Sequence, residues 1–569
     1  MELVEILSGI YGSETAADIM PELKNRIRIF KDKELFQSTF GLSEHDSMLI
    51  TYGDMTQSTE TTNPLQTLKD FLLEYAEDII TTVHILPFFP YSSDDGFSVI
   101  NYREVNPYLG TWKDMENFSD NFRMAFDTVF NHISQKSDWF QGFLNKNEKY
   151  SNWFIEPDKD FDSSKVFRPR ALPLFNNYED ITGEVHKIWT TFSKDQVDLN
   201  FKSPELLLEL IDILLLYIEK GAGIIRLDAI AFCWKESGTA CLHLHQAHLI
   251  VKLFRKIADE VMPGTIILTE TNVPHKDNIS YFGNHDEAHM VYQFPLPPLT
   301  AQAILRQNAT ALTDWATNLE EAPPGCTFLN FLASHDGVGV RPLVGLAPES
   351  ELYYLAEESK RKGGKVGYKN NPDGSQSPYE LNISYFNLVT EPEEELELSV
   401  KKFMLSQAIM LAMPGVPGIY FHSLFGSVNW TENLPEDAEN RTINREKIPA
   451  EILRQELDTE GSRRQMIYSE YQKLLTIRKQ HKAFHPKSGF EILHISPEIF
   501  GIIRGTSHEE PLLAIFNVSS KEQSIEVHHP LIHKKMRSLL SGKKVKRSEI
   551  KIAPYEFEWL IPKKKKLQE

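Results

Sequence analysis

The chain has 569 residues, 41% apolar and 11% aromatic, which is enough for one large core with accessory segments rather than a single small domain. Lysine and arginine number 60 against 80 aspartates and glutamates, and the resulting net charge of −20 disfavours a nucleic-acid-binding surface. Three cysteines (Cys233, Cys241, Cys326) without a CxxC pair suit a reducing compartment, no apolar stretch approaches the ~18 residues of a membrane span, and the first residues lack the pattern of a secretion signal. Composition therefore predicts a cytoplasmic protein that binds neither nucleic acid nor membrane; a monomer or a homodimer is expected, and composition does not choose between them. The lysine run at 563–566 reads as a solvated tail.

In chain order, residues 1–47 are polar and helical in pattern and predict an N-terminal helical extension. Eight apolar runs of strand type follow: MLITYGD (48–54), IITTVHILPF (79–88), RMAFDTVFNH (123–132), AGIIRLDAI (222–230), GTIILTETN (264–272), HMVYQF (289–294), TFLNFLASHD (327–336) and VPGIYF (416–421). Helical patterns such as SPELLLELIDILLLYIEKG (203–221) lie between them, and LTDWATNLE reads as helix rather than strand. Strands alternating with helices predict an α/β fold, a (β/α)8 TIM barrel with right-handed crossovers.

Two intervals are too long for simple connections. The division expected is therefore a barrel over 48–132, 201–337 and 399–479, interrupted by an aromatic, Asp/Pro-rich insertion at 133–200 and a Gly/Asn/Pro-rich one at 338–398. Both insertions follow strand C-termini and are expected to overhang the active face. From about 480 the pattern turns to short alternating strands (FEILHIS, IFGIIRG, PLLAIFNVS), predicting a small antiparallel C-terminal β domain over 480–569.

Three of the apolar runs deliver a carboxylate at the C-terminal end: Asp228 in GIIRLDAI, Glu270 in TIILTETN and Asp336 in TFLNFLASHD. Barrel enzymes gather their catalytic groups at that end of the strands. Three acids over one pocket suit glycosidic-bond chemistry, in which one attacks, one shuttles a proton and one stabilises a charged sugar. Arg226 lies two residues before Asp228, on the same strand face, where a guanidinium keeps a nucleophilic carboxylate ionised. Partial burial of Glu270 would raise its pKa towards an acid/base role. Each acid alone also fits a structural salt bridge or a helix cap, and only the trio is specific.

The trio sits among long motifs: HILPFFPYSSDDGFSVINY (84–102), FNHIS (130–134), FRPRALP (167–173), WTTFSKDQVDLN (189–200), RLDAIAFCWKESGTAC (226–241), YQFPLPPL (292–299), ASHDGVG (333–339), PGVPGIYF (414–421) and NRTINR (440–445). Over residues 48–480 the chain resembles the α-amylase superfamily, glycoside hydrolase family 13, and within it the sucrose phosphorylase group. The resemblance implies Asp228 as nucleophile, Glu270 as general acid/base and Asp336 as transition-state stabiliser. It implies an Asp94–Arg441 pair on the sugar's far hydroxyls, with His132, Gln196, Arg226 and His335 completing the glucosyl contacts and Phe97 on the apolar face. Arg168 and Arg170 match a loop that binds phosphate, and a planar guanidinium fork suits that anion.

Asn272 stands where sucrose phosphorylase has histidine, and the loop around Tyr379 and Glu380 (SPYEL) also departs from it. With TETNVPHKDNISYFG, DEAHMVYQF and KNNPDG, these departures resemble the glucosylglycerate phosphorylases, with glucosylglycerol phosphorylases near neighbours. The expected reaction is retaining phosphorolysis of 2-O-α-glucosylglycerate to α-glucose 1-phosphate and glycerate, with inorganic phosphate as co-substrate and no cofactor. Glucosylglycerol or sucrose phosphorolysis is the alternative. A hydrolase or transglucosidase, or a binding subunit without activity, is a further one, although all three carboxylates are present. Arg341, Lys235 and the loop arginines are all candidates for a glycerate carboxylate, and the sequence selects none. His243, His245 and His248 look like a metal cluster, but on a helix His243 and His245 diverge, so no metal site is expected.

Overall fold

The computed structural model describes residues 1–33, 35, 41–58, 62–371, 374–432, 434, 439–507, 510–532 and 534–562. The lysine run at 563–566 lies outside the described residues. At the centre, eight strands close a barrel: β1 Met48–Thr51, β2 Thr82–Ile85, β3 Arg123–Thr128, β4 Ala222–Leu227, β5 Ile266–Thr269, β6 Met290–Tyr292, β7 Thr327–Phe331 and β8 Val416–Tyr420. Each pairs in parallel with its chain neighbours, and β8 closes on β1. All eight fall within the apolar runs predicted as strands. Their residues are almost all buried because helices cover the outside of a parallel barrel.

Two helices precede the barrel, α1 Leu3–Tyr11 and α2 Ser13–Lys31. They explain an oddity of the sequence. The helix α3 Pro204–Glu219, started by the Ser203 cap and a proline in its first turn, is apolar nearly all round. Its inner face meets the barrel, and α2 packs on its outer side, with Arg26 paired to Asp212 at 2.9 Å. Against the next barrel helix, α4 His245–Val261, α1 comes so close that a Cβ on Gly9 would stand 2.7 Å from the Leu249 side chain. LTDWATNLE contributes the helix α5 Thr310–Thr317, as its pattern predicts.

The segment after β3 includes a two-stranded ladder, His132–Ser134 with Gln196–Asp198, and the hairpin Phe175–Glu179/Val185–Trp189. After β7 come Val338–Gly339, Lys365–Asn370 and Gln376–Asn382, which form a three-stranded antiparallel sheet beside the helix Glu349–Arg361. The C-terminal part is a six-stranded antiparallel sheet running from Phe490–Ser496 to Lys544–Lys546. It is tied to the barrel by the buried Arg504, which donates to the carbonyls of Ala412 (2.7 Å) and Met413 (2.8 Å). No helix among the described residues is long and apolar enough to cross a membrane.

One buried histidine carries a pH prediction. His422, just past β8, bonds Ser427 through Nδ1 at 2.8 Å. Burial pushes its pKa down to about 3, and the charges of Arg464 and Lys447 act in the same direction. The unfolded chain takes up this proton near pH 6.5, whereas the folded one resists until about pH 3, so stability falls as pH drops through that window. His422→Gln is expected to flatten the fall by up to about 1.4 kcal/mol per pH unit, read from denaturant midpoints between pH 6 and 4.

Candidate active site

The barrel register builds the centre of the site. Thr269 pairs with Leu227, so the next residue of each strand, Glu270 and Asp228, emerges side by side at the C-terminal rim. Ala229 follows in the left-handed region (φ 48°), and its amide donates to Glu270 Oε2 at 3.1 Å. Asp336 enters from the loop after β7, its amide donating to the Ser334 hydroxyl at 3.2 Å.

Beneath Asp228 runs a chain of charges of which the sequence reading singled out Arg226 but not His84 or Asp127. Asp127 on β3 pairs in register with Arg226 on β4. His84 on β2 bonds Asp127 through Nε2 at 2.7 Å, Asp127 binds Arg226, and Arg226 Nη1 donates to Asp228 Oδ1 at 2.8 Å. Tyr292 accepts from Arg226 Nε at 3.1 Å, so the guanidinium is held on three sides. Burial pushes the carboxyl groups of both Asp228 and Glu270 above their ordinary range, and Glu270's charge adds to the rise at Asp228. The pair therefore tends to share one proton. Arg226 bonds Asp228 directly, which favours the negative charge on Asp228 and the proton on Glu270.

Across the cavity, Asp94 lies on a tight turn with φ 52°. Burial alone would raise its pKa, but the guanidiniums of Arg170, Arg441 and Arg445 hold it well below the carboxylate range. The expected Asp94–Arg441 pair is not formed. Asp94 instead binds Arg170 at 3.1 Å and Arg445 at 3.5 Å. Arg441 lies 2.6 Å from Asp336 and forks onto Glu380 at 3.0 and 2.7 Å. The reason is the short 3-10 turn Asn440–Asn444, which sends the two arginines in different directions. Arg445 closes the same NRTINR motif and supports Asp94 and Asp95 from outside the cavity lining.

Phe97 stacks on His335 with ring centroids 4.6 Å apart, and its carbonyl meets His132 Nε2 (2.8 Å) and Gln196 Nε2 (3.2 Å). Burial pushes both histidines down, His335 furthest because Arg226 and Arg445 also oppose its charge, so both rings are neutral at physiological pH. One cavity, open at its mouth, is lined by the three carboxylates together with Asp94, Phe97, His132, Gln196, His335 and Arg441. Arg170, Asn272, Tyr379 and Glu380 line its outer part, beside Phe192 and Phe232, which the sequence reading did not name. Arg226 acts from below. Arg168 is not in the lining and donates to the Leu172 carbonyl, so the two loop arginines are separated.

Among the described residues, the donor atoms of Asp180, Glu184 and His186 lie within 4.8 Å of one another and offer a metal-like group. Lys146 already sits 2.5 Å from Asp180 and 2.8 Å from Glu184, so an ammonium occupies the charge that a cation would take. His243, His245 and His248 do not share one helix: α4 begins at His245, His243 lies before it at φ 55° on the Tyr281 hydroxyl (3.0 Å), and His248 bonds Glu287 at 2.7 Å.

The barrel and its rim of carboxylates define a class, and comparison with known proteins agrees with it. Residues 67–347 match the α-amylase family, alpha amylase catalytic domain. The fold is similar to the crystal structure of sucrose 6F-phosphate phosphorylase from Thermoanaerobacter thermosaccharolyticum, with a TM-score of 0.74 at 24% identity over 91% of this chain and 99% of that one. The chain is also 45% identical over 578 residues to a glucosylglycerate phosphorylase of Spirochaeta thermophila, covering 98% of both chains. It is 42% identical to that of Escherichia coli, covering 98% of this chain and 99% of the relative. The chain belongs to the glucosylglycerate phosphorylase family of glycoside phosphorylases, within the α-amylase superfamily.

Proposed function

We propose that the protein cleaves 2-O-α-glucosylglycerate with inorganic phosphate, giving α-glucose 1-phosphate and glycerate with retention at the anomeric carbon. The observation that carries this reading is the identity of 42–45% to glucosylglycerate phosphorylases over nearly the whole chain. The clustering of Asp228, Glu270 and Asp336 in one cavity supports it.

In the first step Asp228 attacks the anomeric carbon. The bond to the glycerate oxygen breaks as Glu270 transfers its proton to that oxygen, leaving a β-glucosyl ester on Asp228. In the second, Glu270 takes a proton from phosphate as a phosphate oxygen attacks the same carbon and frees the Asp228 carboxylate. Asp336 and the neutral His335 flank the positive charge that develops on the ring, Arg226 acts on Asp228 from below, and Asp94 and Arg170, both in the cavity lining, hold the far hydroxyls. Arg170 and Arg441 supply the positive field that lets an anion approach a pocket of carboxylates. The reaction uses phosphate as co-substrate and no cofactor, in the cytoplasm, where buried thiols such as Cys233 stay reduced.

Phosphorolysis of a panel of glucosylglycerate, glucosylglycerol, sucrose and sucrose 6′-phosphate tests the reading. The expected result is α-glucose 1-phosphate formed fastest from glucosylglycerate. A preference for sucrose would overturn the acceptor, and glucose released in place of glucose 1-phosphate would overturn the phosphorolysis.

A further inference from the structure

On its acceptor side, the cavity is walled by Asn272, Tyr379 and Glu380, the last two carried by the strand Gln376–Asn382, behind which Val338–Gly339 pairs. The wall is tightly built. Gly339 pairs with Glu380, the Val340 amide donates to the Tyr379 carbonyl at 3.0 Å, and a Cβ on Gly339 would stand 2.7 Å from the Asn272 amide nitrogen. The Asn272 side-chain oxygen on this wall is buried and unpartnered.

Arg341 follows directly. Its guanidinium lies 4.0 Å over the Phe167 ring, and Phe167 packs on Phe232 with centroids 6.2 Å apart. Phe232 and Tyr379 line the cavity, and Arg341 stands just outside that lining, against Phe167 and within the field of the Tyr379 phenol. Its Nη1 is buried without a hydrogen-bond partner. Asp277 and the Tyr379 phenol act on it only through their field, and burial leaves its pKa below the usual value.

Every other basic side chain weighed for the acceptor is already committed. Arg170 holds Asp94, Arg441 holds Asp336 and Glu380, Arg168 binds the Leu172 carbonyl, and Lys235 pairs with Asp198 at 2.8 Å beside a separate cavity. A buried guanidinium N–H without a partner is costly unless a ligand oxygen completes it.

We infer that Arg341 binds the carboxylate of the acceptor and thereby selects an acidic acceptor over a neutral polyol. The inference rests on the substrate reading above and names the residue that carries it. A planar fork stacked on an aromatic ring presents two parallel donors to a carboxylate, and a hydroxymethyl group in the same place leaves them unpaired.

The test runs the reaction in reverse, from α-glucose 1-phosphate, with glycerate or glycerol as acceptor. These differ only in carboxylate against hydroxymethyl. The readout is the ratio of kcat/KM for glycerate to that for glycerol, which is internal to each variant, so loss of folded enzyme cancels. Arg341→Ala is expected to lower the ratio about 100-fold, through KM for glycerate, and Arg341→Lys, which keeps the charge but not the fork, to lower it less. A ratio left near the wild-type value in Arg341→Ala would overturn the assignment. If the unaltered protein does not prefer glycerate, the substrate reading fails and this inference falls with it.

Discussion

Asp228→Asn is expected to lower kcat for phosphorolysis by roughly 10⁴-fold or more, with the fold retained. The amide keeps the size of the side chain and can still meet Arg226, but it cannot form the glucosyl ester on which both half-reactions depend. Steady-state formation of α-glucose 1-phosphate measures the loss, and circular dichroism with thermal melting checks the fold. Turnover within about tenfold of wild type would remove Asp228 from the nucleophile's place. The variant would also separate an enzyme from a binding protein: sugar binding should persist where turnover is gone, because Asp94, Arg170 and the Phe97–His335 stack are untouched.

Glu270→Gln should have an effect that depends on the leaving group. Cleavage of glucosylglycerate needs a proton on a departing alkoxide, so its rate should fall by about 10²–10⁴-fold. Phosphate leaves glucose 1-phosphate with little need of that proton, so glucosylation of Asp228 from glucose 1-phosphate should fall much less. The glucosyl-enzyme should then accumulate, visible by mass spectrometry as one anhydroglucose on the peptide carrying Asp228. Equal losses with both donors would show that Glu270 positions the sugar rather than transferring a proton. The argument depends on the shared proton residing on Glu270, which the direct Arg226 bond to Asp228 favours.

The sequence alone determined what is written in local pattern. Eight apolar runs marked all eight barrel strands, because a strand buried on both faces needs an apolar run whatever its partners are. Acids at the ends of three runs marked the catalytic candidates, because strand ends in a barrel converge. Only the tertiary structure could decide which charges meet. His84, Asp127 and Arg226 lie on three strands far apart in the chain, and their network exists only through the inter-strand register. Arg441 and Arg445 share one motif, yet a short turn sends the second to Asp94 and the first to Asp336 and Glu380. Arg168 and Arg170, two apart in one loop, part for a related reason: Arg170 reaches Asp94, and Arg168 turns back on its own loop. A long side chain finds its partner by where the backbone aims it, and in loops that aim comes from packing against distant segments rather than from spacing in the chain.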